Sequence, residues 1–190
     1  DDVLPEEEKW YDGQLVGWFT FVGKSGKDHT VMVHDEDYPD LVALMIESYN
    51  LKAEGTNDLF VYVDEGGTPR DIKSRMVNDY LQKTAGSSYS AKDFRTWRGT
   101  EMAASGLANT PKRLNKKERK KRVTKVVKEV ATRLGNTPAV CRSSYIHPLF
   151  LNDYMSGSFH RKWKQAHSEE ENKMLSSDEI AVLNYLSEDA

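Results

Sequence analysis

Tyr145 lies in the stretch Ala131–Pro148, ATRLGNTPAVCRSSYIHP, a few residues beyond Gly135 and Asn136. A phenol is a weak nucleophile, because a pKa of about 10 leaves roughly one in a thousand ionised at neutral pH. It needs neighbours. If it attacks a phosphodiester, negative charge builds on the phosphoryl oxygens. A guanidinium can meet that charge with two N–H groups and an amide with one more, while the departing alcohol needs a proton donor such as a lysine. Tyrosine, arginine, asparagine and lysine thus form a set that needs no metal.

The surrounding sequence predicts how these groups are held. Val123, Val126, Val127, Val130 and Leu134 recur at helical spacing and run into Gly135, which readily takes the left-handed conformation that ends a helix. Asn136 then sits in a tight turn. Thr137-Pro138 restarts a helix, threonine as cap and proline at the first position, where its missing N–H is not needed. Tyr145 is expected about two turns into that helix, as a phenol projecting from it toward the Asn136 amide.

Composition narrows the function classes. At 190 residues one catalytic or binding domain with a real core is expected. No run reaches the roughly 18 apolar residues of a membrane span, and the start DDVLPEEEKW is acidic where a secretory leader would be basic and then apolar. No membrane association is expected, and a cytoplasmic location is, with the nucleoid as its site in a bacterium. Cys141 is the only cysteine, and neither HExxH nor an EF-hand pattern occurs, so no structural metal is expected. The net charge of -3 conceals an asymmetry. Acid gathers in Asp1-Asp2, Glu6–Glu8 and Glu169–Glu171, while Lys112–Arg133 carries a dense run of lysines and arginines against only Glu118 and Glu129. Such a one-signed helix suits a polyanion, although a charge run can also be a solvated face.

Along the chain, Gln14–Val22 and Asp28–His34 alternate around the turn Gly23–Lys27 and predict a β-hairpin with lysines at its tip. Gly23-Lys24-Ser25 is no phosphate loop, since that motif needs glycine at Trp18 and a helix directly afterwards. Leu41–Tyr49 reads as a helix, Leu59–Val63 as a third strand closing on Asp64–Gly67, and Ile72–Lys83 as a helix ending near Gly86. Ser90-Ala91-Lys92-Asp93 resembles a capping box opening a helix that carries Phe94, Arg95, Trp97 and Arg98. A short helix, Leu149–Met155, ends at Gly157. A polar stretch with His160 and His167 follows, then a capped amphipathic helix whose Ile180, Leu183 and Leu186 dock on the body.

Three segments carry a resemblance. Phe21-Val22-Gly23-Lys24 with Ser25–His29, AKDFRTWRGT at Ala91–Thr100, and LGNTPAVCRSSYIHP at Leu134–Pro148 resemble the catalytic domain of type IB DNA topoisomerases, in the small poxvirus-like and bacterial branch. LFVYVDEGG at Leu59–Gly67 and VNDYL at Val77–Leu81 are similar as well. The resemblance implies that Tyr145 joins a DNA 3′ phosphate and that Arg95 of Lys92-Asp93-Phe94-Arg95 holds the scissile phosphate. It also implies that Asn136 takes the place of a histidine found in poxviral members, and that Lys24 protonates the 5′ leaving oxygen. Lys92, Arg98, Arg142, Lys27, Lys116 and Lys120 are expected along the DNA.

The implied activity is relaxation of supercoiled double-stranded DNA by a monomer, without metal or nucleotide. The family uses a further arginine upstream of the hairpin lysine and an amino-terminal domain that closes around the duplex. No arginine precedes Lys24 here, so the first arginine is not found and the chain is expected to be the carboxy-terminal part of such an enzyme, or an incomplete product, lacking that domain in cis. The expected fold is α+β and predominantly helical: a small antiparallel hairpin or three-stranded sheet, then a helical body, as in the DNA breaking-rejoining fold. Within one catalytic domain over 1–190, a β-rich part spans 10–65, a helical core 71–157, and a polar segment with a terminal helix 158–190. Two other readings stay open. A tyrosine recombinase shares the chemistry but usually carries His-x-x-Arg at this point, and a non-catalytic DNA-binding module would need the basic helix without the phenol.

Overall fold

The computed structural model describes residues 9–11, 14–23, 26–34, 39–51, 60–86, 88–167 and 174–187. The chain divides into two compact units, Asp1–Tyr80 and Leu81–Ala190. In the first, strands β1 (Lys9–Tyr11), β2 (Gln14–Gly23) and β3 (Lys27–His34) form an antiparallel sheet in the order β1-β2-β3. Gly26, at φ 69°, closes the β2–β3 turn by donating its N–H to the Gly23 carbonyl (3.2 Å), a left-handed position that favours glycine. Phe21 pairs with His29 across the two strands, and their rings stack at 5.1 Å. Helix α1 (Pro39–Leu51) buries Val42 and Met45 with Val33 of β3.

The strand expected at Leu59–Val63 joins a different sheet. Leu59 lies outside the described residues, and β4 (Val61–Val63) pairs only with β5 (Pro69–Asp71). The turn between them explains this. The Asp64 carboxylate accepts from the N–H groups of Gly66 (3.0 Å) and Thr68 (2.9 Å) and from the Arg70 guanidinium (2.9 Å). An Asx turn of this kind folds the chain straight back on itself.

Helix α2 (Ser74–Ala85), in which the division between the units falls, stops at Gly86 (φ 67°). In the second unit α3 (Ala91–Ala108) opens on the expected box. The Asp93 carboxylate accepts from the Ser90 hydroxyl and N–H, both at 2.8 Å, and these bonds hold it below the usual carboxylate range. Helix α4 (Lys116–Arg133) opens on a second box, Asn115 with Glu118, and buries Val123, Val126, Val127, Val130 and Ala131. Gly106 of α3 permits the close packing, since a Cβ there would stand 3.2 Å from Val126.

Helices α5 (Pro138–Ser144), α6 (Pro148–Ser156), α7 (Phe159–Ala166) and α8 (Ser177–Ser187) complete the core. Phe150 is fully buried, stacks on Tyr185 at 4.7 Å and meets Phe159 and Trp163 edge-on. Two expectations are corrected here. The stretch read as polar after Gly157 contains α7, because Phe159, Trp163 and Ala166 share one helical face and are buried. Leu183, expected to dock, is 42% exposed, because α8 turns Ala181, Val182 and Tyr185 inward, with Ile180 beside them. Among the described residues no helix is long and apolar enough to cross a membrane.

Asp153 of α6 ties the last three helices together, accepting from Lys162 of α7 and the Tyr185 hydroxyl of α8, both at 2.8 Å. Burial pushes its carboxyl up, but hydrogen bonds from Lys162, Tyr185 and Ser158 outweigh burial and hold it below the usual range. A depressed carboxyl stabilises the fold above its unfolded pKa of about 3.9, and the contribution is lost as pH falls through the lower folded value. Asp153→Asn should therefore lower the thermal midpoint at neutral pH, and the gap to wild type should close below about pH 4. A gap that stays constant into that acid range would contradict the assignment.

Candidate active site

Helix α4 ends in a Schellman turn. Gly135, at φ 65°, donates its N–H to the Thr132 carbonyl (3.1 Å), and Asn136 N–H reaches the Ala131 carbonyl (2.8 Å). Thr137 then accepts from the Val140 N–H (3.3 Å) and Pro138 opens α5. That helix is only 7 residues long. Tyr145 is its C-cap residue, at φ −130°, so the phenol leaves from the helix end instead of projecting from within the helix as expected. Pro148 explains part of this, because the residue before a proline avoids the helical region and His147 is extended at ψ 126°.

The turn brings together three of the residues expected to act as one. Arg95 Nη2 donates to the Leu134 carbonyl at 2.6 Å, and Asn136 Nδ2 donates to the same oxygen at 2.9 Å. The Arg95 guanidinium also lies over the Tyr145 ring, 5.3 Å from its centroid, a cation–π distance. Tyr154 and Tyr89 lack these surroundings. Tyr154 is 2% exposed, with its hydroxyl 2.6 Å from that of Thr110, and Tyr89 lies exposed before α3. Cys141 is buried on α5, and burial pushes its thiol up while the Arg95 charge opposes the shift.

Two positions that sequence reasoning missed hold Tyr145 from α3. At Gly99 a Cβ would stand 2.4 Å from the Tyr145 carbonyl oxygen, so only glycine lets α3 lie this close to the turn. Thr100, 3% exposed, accepts from the His147 N–H (3.0 Å), and its hydroxyl lies 3.4 Å from the Tyr145 carbonyl, to which it donates. A glycine inside the pattern Trp-Arg-Gly-Thr was the available signal, since glycine in a helix interior lowers stability unless close packing requires it.

The remaining candidates fall elsewhere. Lys24 lies outside the described residues, and Lys27 begins β3 in the first unit, paired with Gly23. Lys92 is exposed near the start of α3, Arg142 is exposed on the last turn of α5, and Arg98 forms an ion pair with Glu101 (2.6 Å). Phe94 beside them is 63% exposed. Lys116 and Lys120 are exposed on α4, whose buried stripe is valine and alanine. Arg119 is the inward exception, donating to the carbonyls of Leu114 (3.0 Å) and Met155 (2.8 Å). Among the described residues no cluster of His, Cys, Asp and Glu could hold a metal ion.

The family described as eukaryotic DNA topoisomerase I, catalytic core, matches residues 9–173. The chain is also 31% identical over 145 residues to DNA topoisomerase 1B of Acanthamoeba polyphaga mimivirus, a match covering 72% of this chain and 41% of that protein. The chain thus spans well under half the length of this relative.

Gly99→Ala separates close packing from ordinary helix propensity. In an open helix the change should stabilise by about 1 kcal/mol. Here the new methyl meets a backbone oxygen, and overpacking should cost about 1–3 kcal/mol. Urea unfolding should show no gain or a net loss. A variant more stable than wild type would mean that the Tyr145 turn yields freely.

Proposed function

The chain belongs to the type IB DNA topoisomerase family, and we propose that it cuts and rejoins one strand of duplex DNA through a bond from Tyr145 to a 3′ phosphate. The observation that carries this reading is the pair of donors, Arg95 Nη2 and Asn136 Nδ2, meeting the Leu134 carbonyl oxygen, with the Arg95 guanidinium 5.3 Å from the Tyr145 ring centroid. Donors that can converge on the Leu134 carbonyl can also converge on a phosphoryl oxygen placed next to it. Charge-assisted bonds of this kind are the stronger ones, and they strengthen as charge builds in the transition state.

In the proposed reaction the phenol loses its proton to solvent as Oη bonds to phosphorus. The bond from phosphorus to the 5′ oxygen breaks, and that oxygen takes a proton from the Lys24 ammonium. The phosphotyrosine keeps the energy of the broken diester, so after the strand has swivelled the 5′ hydroxyl attacks, Tyr145 departs and the strand is resealed. Arg95 and Asn136 supply charge stabilisation and Lys24 the proton, so the reading includes independence from metal and nucleotide. One chain carries the set, in keeping with action as a monomer. The exposed lysines of α4 give the unit a surface for the phosphate backbone.

Trapping on a nicked duplex tests the assignment. Tyr145→Phe should abolish the denaturant-resistant DNA adduct while leaving noncovalent binding intact, and chelator should leave the wild-type adduct unchanged. Arg95→Ala should slow adduct formation by a factor on the order of 10²–10³, as for loss of a donor aimed at transition-state charge. Arg95→Lys should recover little, because a point charge cannot reproduce the two-pronged contact. Adduct formation by Tyr145→Phe at the wild-type level would end this reading.

The α4 surface is tested separately by salt. Each phosphate neutralised adds about 0.9 to the slope of log affinity against log salt concentration. Neutral replacements at Lys116, Lys117, Lys120 and Lys121 should lower that slope on any DNA sequence, because backbone contacts do not read bases. An unchanged slope would leave α4 a solvated face.

A further inference from the structure

The junction between α5 and α6 is where the second unit holds its candidate nucleophile, and it is short of backbone partners. A helix end leaves carbonyls unpaired and the next helix start leaves N–H groups unpaired. Here the two meet across Tyr145, Ile146 and His147. The Thr100 side chain serves both sides at once, accepting from the His147 N–H at 3.0 Å and lying 3.4 Å from the Tyr145 carbonyl oxygen. It does so from the buried face of α3, where only 3% of the residue is exposed. Valine has nearly the same shape as threonine, so packing alone does not call for a hydroxyl at this position. The neighbouring Thr96 hydroxyl, bonded mainly to the Lys92 carbonyl (3.2 Å), reaches toward the Ser144 carbonyl at 3.5 Å.

Arg95 stands on the same helix, with its guanidinium 5.3 Å from the Tyr145 ring centroid. One helix therefore carries the donor beside the phenol and grips the backbone that carries the phenol. We propose that Thr100 is a positioning residue for the reaction: by bridging the Tyr145 carbonyl and the His147 amide, its hydroxyl fixes the phenol relative to Arg95. The proposal rests on reading Tyr145 as the nucleophile. Thr100 touches no reacting atom, so its loss should change the rate of the chemical step and leave DNA affinity alone.

The experiment uses the full chain and two readouts. Hydrogen exchange at the His147 amide reports the bridge itself, and single-turnover adduct formation on a nicked duplex reports the chemistry. Thr100→Val should speed exchange at His147 and slow adduct formation by about 10–100-fold, the scale of a small misplacement of reacting groups, with equilibrium DNA binding unchanged. Thr100→Ser, which keeps the hydroxyl, should recover most of the rate. Thr100→Ala serves the same purpose if the valine variant does not fold. Unchanged His147 exchange in the hydroxyl-free variants would overturn the bridge. Faster exchange with a wild-type adduct rate, or a serine variant as slow as valine, would overturn the positioning role. If wild type forms no adduct while His147 still responds, the reading of Tyr145 itself has failed and the positioning role falls with it.

Discussion

The carbonyl oxygen of Leu134 is the point on which the candidate site depends. It is the last turn of α4 reaching outward, and two donors from separate parts of the chain meet it at 2.6 and 2.9 Å. A helix's final carbonyls lack partners within the helix and carry its negative end, so they attract cations. Arg95 is held there by that attraction. Its guanidinium lies over the Tyr145 ring, and among the described residues no carboxylate is ion-paired with it. A protein carboxylate in the same place would have bound Arg95 more tightly and competed with a phosphate.

The sequence was most legible where local chemistry decides the outcome. Gly135 as helix terminator, Thr137-Pro138 as restart and Ser90 with Asp93 as a cap are settled within a few residues, and the structure places them as expected. Arg95, Asn136 and Tyr145 could be named because their types fit one chemistry and their surroundings resemble one family. The errors came where distant packing decides. The inward face of α8 is set by Phe150 and Trp163 from other helices, so Tyr185 is buried and Leu183 is not. The apolar residues of α7 are spread through a basic sequence, and a reader of charge passes over Phe159 and Trp163. Gly99 and Thr100 were hidden for the same reason, since their partners lie more than forty residues along the chain.

Close approach, more than charge, distinguishes α3 as the frame of the second unit. Gly106 brings it against Val126 of α4, and Gly99 brings it against the Tyr145 carbonyl. Each glycine costs helix stability of about 1 kcal/mol relative to alanine; at Gly99 a side chain would force the Tyr145 backbone to shift, whereas at Gly106 it would make a tight contact with the Val126 side chain. The two contacts fix α4 and the α5–α6 junction to one rigid element. The positions of Asn136 and Tyr145 are then both referenced to α3 and do not rest on the short helix α5 alone.

The basic helix gains a second role from the same geometry. Its lysines lie on exposed faces while valines fill the core stripe, so charge and packing do not compete. Its two acids are used locally, Glu118 in the N-terminal cap and Glu129 3.7 Å from Lys125. Arg119 fastens the first turn to α6 through the Met155 carbonyl, and the Schellman turn fixes the other end. A phosphate backbone laid along α4 would therefore be referenced to a helix that ends in Leu134 and Asn136. In the proposed function, binding along the helix and chemistry at its end are parts of one rigid piece. Contacts to phosphates that read no bases can still set where on the strand the tyrosine acts.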